Sequence, residues 1–436
     1  MNIRFIHQIR HLNRISFRVA VAAFVLFLLP GMAMTIQAQV YPDQYLDMAV
    51  ENNPGLQSKQ SVYEASQQQI QIASALPDPV LSGGIFTPPM ERLMGNQWVD
   101  AGVMQHFPWF GTRQKQSEVA QKASERSYQE YRETRNSLFL DITDQWLNYF
   151  KKDKQIEIID RYIALLQDRE ALIYARYEGG QQTPGLALDI YRLEIEMANL
   201  LNRRDKLNEE KLSLLRNFNI RIGRQAEAVI EIPDTLPQTA DRSYQADAGE
   251  KVFSQNPKYN YAAARAEEAH KQKEVTRKKT RPTLGIGLQY AWFNAGDAAM
   301  GQMEGGHMVM PMFSVSLPVY GSKNQAKQQQ SLLMAEAAGF EKNEQLDQLQ
   351  TEWSTLLAQL QNLQHDHRFY HQQFEITRKS MELVMTAYAG GDEGFTELLD
   401  IQEQLLDLEW RLLENHVSRH SKRAVLDKLQ ATNIFK

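Results

Sequence analysis

Two spacings of apolar residues alternate along this chain. From Thr112 to Tyr177, and again from Ser322 to Tyr388, surfaces rich in Gln, Glu, Lys and Asp surround a narrow apolar seam at three- and four-residue steps. Ile156, Ile159, Ile163, Leu166 and Ile173 carry it into a Gly-Gly break, and Ile190, Leu193, Met197 and Leu200 carry it away. The second copy returns through Ile401, Leu405, Leu408 and Leu412. Such a seam predicts helix packed on helix as a coiled coil, with the other faces wet. At about 1.5 Å per residue each long helix runs roughly 100 Å, too long for a globular core. A pair of such helices needs lateral neighbours. Elsewhere the period falls to two. In "TLGIGLQYAWF", Leu284, Ile286, Leu288, Tyr290 and Trp292 oppose Gly285, Gly287, Gln289 and Ala291. In "VDAGVMQHF", Val99, Ala101, Val103 and Phe107 oppose Asp100, Gly102, Met104 and His106. In "MVMPMFSVSL", Val309, Phe313, Val315 and Leu317 oppose Met312, Ser314 and Ser316. Alternation of this kind fits an outer-membrane barrel strand or a half-buried sheet on a soluble core. The long wet helices favour the membrane.

The same landmarks occur twice in the same order, which predicts a duplicated structural unit. "YEGGQQTPGLALDI" from Tyr177 matches "YAGGDEGFTELLDI" from Tyr388 at Tyr177/Tyr388, Gly179/Gly390, Gly180/Gly391, Leu188/Leu399, Asp189/Asp400 and Ile190/Ile401. "FPWFGTRQKQ" recurs as "LPVYGSKNQA", and Asn53-Pro54 as Asn256-Pro257. Each unit reads as a helix (about Tyr45 to Ala75; about Gln245 to Lys279), a strand pair (about 78–108; about 282–318) and a long helical hairpin (about 112–218; about 322–430). The strand-to-helix corners hold Pro108 and Gly111, then Pro318 and Gly321, residues that stop a strand and redirect the chain. The repeats span 39–223 and 246–436, joined by a linker at 224–245.

Residues 1–38 read as a secretory signal: Arg4, Arg10, Arg14 and Arg18 precede the apolar run Val19 to Leu29, then Pro30-Gly31 and small residues. That run is too short to span about 30 Å of hydrocarbon. The chain has no cysteine, which excludes disulfides, thiolate metal sites and a cysteine nucleophile. Its net charge of −5 and scattered Lys and Arg argue against nucleic acid. No catalytic motif and no cofactor fingerprint is found; the two glycines of "LGIGLQ" sit in a strand with no helix opening after them. His365, His367 and His371, or His416 and His420, fit either a metal pair or a solvated helix face.

Four strands cannot close a barrel, and lipid tolerates no open sheet edge. Closure therefore requires oligomerisation. Three copies would supply a 12-stranded barrel continuous with twelve helical strands side by side as a tube.

This order of helix, strand pair, "P-x-[FY]-G" corner, long helix, "Y-x-x-G" turn and "LLD" return helix resembles the TolC family of outer-membrane efflux ducts over essentially the whole chain beyond the signal. The resemblance implies a mainly α protein with a membrane β-barrel, acting as a homotrimer with no cofactor. It implies contact with outer-membrane lipid and docking onto a periplasmic adaptor and an inner-membrane pump. It makes Tyr177, Gly179, Gly180, Tyr388, Gly390 and Gly391 the adaptor-docking hairpins, although a plain helix C-cap would also use glycine. It makes Glu397 and Asp400, with Asp189 in the first copy, the acidic gate at the tunnel tip. Acids are also ordinary in a first helical turn. "FTPPMERLMG" and "MVMPMFSVSLP" resemble ducts of metal-exporting systems. Met308, Met310 and Met312 could thus meet Cu(I) or Ag(I), or fill loops and walls as methionine does elsewhere. The competing functions are a periplasmic coiled-coil adaptor or structural protein, and a passive porin.

Overall fold

The computed structural model describes residues 43–92, 95–179, 183–237, 250–298, 301–303, 305–390 and 394–431. The signal reading at 1–38 lies outside these residues. So do Gly180, Gly391 and residues 238–245 of the linker. Gln44–Lys436 form one compact unit.

The chain opens with α1 (Asp43–Asn52) and α2 (Pro54–Ser74), then β1 (Val80–Arg92) and β2 (Gly95–Phe107), then the long α3 (Thr112–Glu178) and its return α4 (Pro184–Arg221). The second half repeats the order. It runs through α5 (Glu250–Phe253), α6 (Pro257–Lys279), β3 (Thr283–Asn294), a small hairpin of β4 (Gly296–Ala298) and β5 (Gly301–Met303), and β6 (Gly306–Ser316). It ends with α7 (Gly321–Gly390) and α8 (Phe395–Gln430).

Neither opening helix is continuous, contrary to the expectation of single helices from Tyr45 and from Gln245. Proline lacks an N–H and blocks helix before it but suits a first turn. Asn53 caps α2, accepting from the Leu56 N–H at 3.1 Å. Asn256 caps α6, accepting from the Lys258 N–H at 2.9 Å. The repeated Asn-Pro is thus a repeated helix start. The β4–β5 hairpin is a further addition absent from the sequence-based elements.

α3 packs against α2, α4, α6 and α8, and α7 against α6 and α8. Two apolar clusters hold these helices. Midway, Trp353 and Phe253 meet edge to face at 6.2 Å, with Tyr259, Leu349, Leu426 and Leu429 around them. Toward the hairpin end, the seam residues Ile159, Ile163, Leu166, Ile173, Ile190 and Leu193 share one core with Phe395, Leu398, Ile401 and Leu405. Each fully buried side chain of this size contributes about 1.5–3 kcal/mol. Between the halves, residues 223–237 form an ordered strap with no helix or strand. Gly223 starts it at φ 75°, where a Cβ would lie 2.6 Å from Asn52 Cβ. The strap is tied down by Trp146 Nε1–H donating to Glu231 O (3.2 Å) and the Glu231 N–H donating to Tyr45 OH (2.9 Å).

Candidate functional site

The four long strands form one antiparallel sheet in the order β1-β2-β3-β6. Its edges, β1 and β6, have no strand partner within the described chain. The register decides what each face carries. Leu81, Val103, Leu288 and Pro311 form one transverse row, and Gly83, Ala101, Tyr290 and Val309 another. This face is apolar and uncovered: Leu81 is 79% exposed and Phe313 78%. On the opposite face the rows read Val80-Met104-Gly287-Met312, Ser82-Gly102-Gln289-Met310 and Gly84-Asp100-Ala291-Met308. The alternation read from the sequence therefore corresponds to two real faces. Met308, Met310 and Met312 all fall on the small, polar one, joined by Met104. Met104 Sδ takes a weak hydrogen bond from Ser314 Oγ at 3.9 Å.

All four helix–strand junctions lie at one end of this sheet, since Phe107 pairs with Leu284 and Thr283 with Ser316. The two "P-x-[FY]-G" corners are not equivalent. Pro108 ends β2, and Gly111 then turns into α3 at φ 76°, a left-handed conformation that favours glycine. Pro318 stands in the matching place, but Gly321 already begins α7, and nothing lies within 4 Å of a Cβ built on it.

At the far end of the helices the two hairpins come together. Tyr177 and Leu186 from the first, and Tyr388 and Leu399 from the second, pack on the same core. Tyr388 lies 5.6 Å from the Phe395 ring. Gly179 is the C-cap of α3 at φ −71°, with its N–H donating to Ala175 O. It is not the left-handed residue that a glycine at a helix end suggests. Gly390 is the last residue of α7.

The three acidic candidates divide. Glu397 and Asp400 are exposed on the first turns of α8. Asp189 is half-buried, 3.6 Å from Arg192; burial holds its carboxyl above the usual range, and Arg192 opposes that shift. Thr183 caps α4 through Leu186 N–H at 3.3 Å, whereas α8 begins at Gly394 with no side-chain cap.

One residue at this end escaped the sequence reading. Arg169 of α3 is only 8% exposed, and its guanidinium donates to Gln402 Oε1 of α8 and, at 3.8 Å, to Met385 Sδ of α7. Burial lowers its pKa. The available signal was a gap: the seam steps from Leu166 to Ile173 with no apolar residue between them on its line. His416 and His420 also depart from the solvated reading. Their Nε2 atoms approach Leu236 O (3.4 Å) and Pro237 O (3.1 Å), clamping the strap to α8. Burial pushes His420 down to about 4, and the neighbouring His416 adds to the shift. His365 and His371 are exposed, as a solvated face requires, and His367 is half-buried. Among the described residues no three His, Asp or Glu converge as a metal site, and no helix is long and apolar enough to cross a membrane.

Comparison with protein-family models gives no match. Comparison with curated proteins gives none either. Solved structures do match. CusC, whose structures concern folding and transmembrane channel formation, superposes with a TM-score of 0.74 at 15% identity, covering 90% of this chain and 93% of that one. The open state of the MtrE outer membrane channel of Neisseria gonorrhoeae gives 0.73 at 17% identity over 90% and 89%. The outer membrane protein VceC of Vibrio cholerae gives 0.72 at 15% identity over 89% and 95%. With nearly full coverage on both sides, this chain has the TolC-type fold of these outer-membrane channels.

Proposed function

We propose that the chain is one protomer of a homotrimeric duct in the outer membrane of a Gram-negative bacterium. In this reading it passes substrates from an inner-membrane pump and a periplasmic adaptor to the exterior. The observation that carries the reading is the uncovered apolar sheet face with both edges unpaired. In water, that face and those edges invite aggregation. Three sheets joined edge to edge remove every edge, give twelve strands and turn the apolar face to lipid and the small, polar face to a lumen. Tyr290 and Trp292 at one end of the face, and Trp109, Phe110 and Tyr320 at the other, supply the aromatic girdles such barrels carry. A coiled-coil adaptor has no use for such a sheet. A passive porin has none for helices of this length. The expected result of fractionation is a detergent-extractable trimer in the outer membrane; a soluble periplasmic protein sinks the proposal.

The paired hairpin tips serve as the docking end and the gate. Gly179 and Gly180, with Gly390 and Gly391, offer small residues where a partner backbone can approach closely, and Tyr177 and Tyr388 anchor the same hairpins to the shared core. Because the chain has no cysteine, single cysteines at Glu178 and Ala389 can report adaptor contact by crosslinking; no crosslink at either would refute docking there. Glu397 and Asp400 stand free to line a narrow axis with their symmetry mates, where carboxylates repel one another and attract cations.

A second reading concerns the cargo. Four methionines on the lumen-side face, Met104, Met308, Met310 and Met312, offer thioethers to a passing soft cation such as Cu(I) or Ag(I). Deletion should then raise silver or copper sensitivity. Unchanged metal tolerance with raised dye or detergent sensitivity would remove metal as the cargo.

A further inference from the structure

The helix–strand junctions carry a concentration of positive charge that the chain as a whole does not. The chain is net acidic, at −5. Yet Arg113 and Lys115 open α3, Lys273, Arg277, Lys278 and Lys279 close α6, Arg281 follows, and Lys323 and Lys327 open α7. These segments form one level of the molecule. Arg113 donates to Ser74 O at 3.1 Å, Lys278 Nζ to Phe110 O at 3.4 Å, and Gln328 Nε2 to Thr280 Oγ1 at 3.3 Å, so hydrogen bonds chain the four junctions together.

Of the acids at this level, Glu118 and Glu274 are already engaged, and Asp78, between α2 and β1, is exposed. Lys115 holds Glu274 at 2.8 Å and Glu118 at 2.9 Å, and Lys271 holds Glu118 at 3.0 Å. Arg277, Lys278, Lys279, Arg281, Lys323 and Lys327 enter no ion pair among the described residues, and all but Lys278 are exposed. A shallow groove between α6 and α7 sets Lys273 and Arg277 beside Gln325 and Gln328. On the other side of the same helix pair, Lys279 and Lys327 flank Thr280 and Asn324. Like charges so close repel, and the repulsion persists until anions arrive. At the same level Phe110 is 76% exposed, Leu317 63%, Val319 72% and Tyr320 72%. Immediately beyond them the apolar sheet face begins with Leu284 and Val315.

Unpaired cations and exposed aromatic rings at the rim of an apolar band are the composition of a bilayer interface. Aromatic rings settle at headgroup depth, long basic side chains reach the phosphates, and guanidinium matches phosphate in two hydrogen bonds. We propose that this collar binds the phosphate headgroups of anionic glycerophospholipids in the leaflet on the helical side of the barrel. The inference rests on the duct reading, because it takes the apolar sheet face to be in lipid. Each of the unpaired basic residues then gains a counter-anion, and the bound headgroups fix the depth at which the sheet stops and the helices start.

The test uses the purified full chain with equal amounts of phosphatidylglycerol and phosphatidylcholine. Native mass spectrometry counts the lipids each trimer retains. A variant carrying Arg277→Gln, Lys279→Gln, Arg281→Gln, Lys323→Gln and Lys327→Gln alters only exposed side chains without ion pairs, so trimer and insertion should survive. The wild type should favour phosphatidylglycerol by about tenfold or more, the variant should show almost no preference, and the wild-type preference should weaken as salt is raised. Equal retention of both lipids by the wild type overturns the collar, as does a preference that the variant keeps. Both results leave the duct intact if the protein inserts. Failure to insert into vesicles of either lipid overturns the duct, and the collar with it.

Discussion

The two halves of this chain build the same backbone order and use it differently. At the corner, the first half needs a left-handed glycine, Gly111, while Gly321 in the second sits in open space at a helix start. At the tip, the first half caps its return helix with Thr183 and half-buries Asp189 beside Arg192. The second leaves Gly394 uncapped, buries Phe395 to 1% exposure and turns Glu397 and Asp400 to solvent. The long helices differ as well. α3 lies against four other helices, whereas α7 leaves Leu333, Met334 and Phe340 exposed. A duplicated frame tolerates such divergence because main-chain hydrogen bonds and seam spacing hold it, and side chains off the seam are then free to specialise. Both halves leave apolar side chains uncovered, Leu81 and Leu172 in the first and Leu333 and Phe340 in the second, and they differ in what they bury at the tip.

The largest expected effect lies at the tips. Phe395→Ala should destabilise the tip by about 3–5 kcal/mol, and Leu186→Ala, at the matching turn but only half-buried, by clearly less. Protease susceptibility of the two hairpins reads the difference; equal losses would mean that the tips are packed alike. The next effect is on pH. Because His420 is held down to about 4 in the folded chain, the unfolded chain binds its proton first as pH falls. Stability contributed by the neutral ring is complete above about 6.5 and is lost as pH drops from there toward 4, by up to roughly 3 kcal/mol. Thermal midpoints of wild type and His420→Gln from pH 7 to 5 should therefore converge, the variant lacking that slope. Gly111→Ala should cost about 1–2 kcal/mol through its positive φ, while Gly321→Ala should stay within about 0.5 kcal/mol. Equal costs would erase the difference between the corners. The smallest free-energy effect is electrical. Glu397→Gln with Asp400→Asn should raise the conductance of the isolated protein severalfold, equivalent to about 1 kcal/mol, with little change in stability. Asp189→Asn, whose carboxyl is half-buried against Arg192, should leave conductance near wild type.

Much of this architecture was legible from local pattern. The seam from Ile156 to Ile173 and the alternation from Leu284 to Trp292 each describe one element, and each element meets its surroundings through a face its own period defines. The breaks at Asn53-Pro54 and Asn256-Pro257 could have been read the same way, since proline acts on its own turn. Arg169 could not be identified as a buried residue by its type, because a charge is buried only when another chain segment brings Gln402 and Met385 over it. The same holds for His416 and His420: their Nε2 atoms meet Leu236 O and Pro237 O only because the strap from Gly223 to Pro237 reaches α8.

The division is physical. Amphipathic period and proline and glycine positions are properties of a few consecutive residues, and the sequence alone determined them. Which strand lies beside which, that Met104 and Met312 flank the same Gly287, that both tips share one core and that Asp189 is sheltered while Asp400 is not all depend on residues far apart in the chain. Those were decided only when tertiary packing set the register, because burial is a relation between segments and no segment carries it alone.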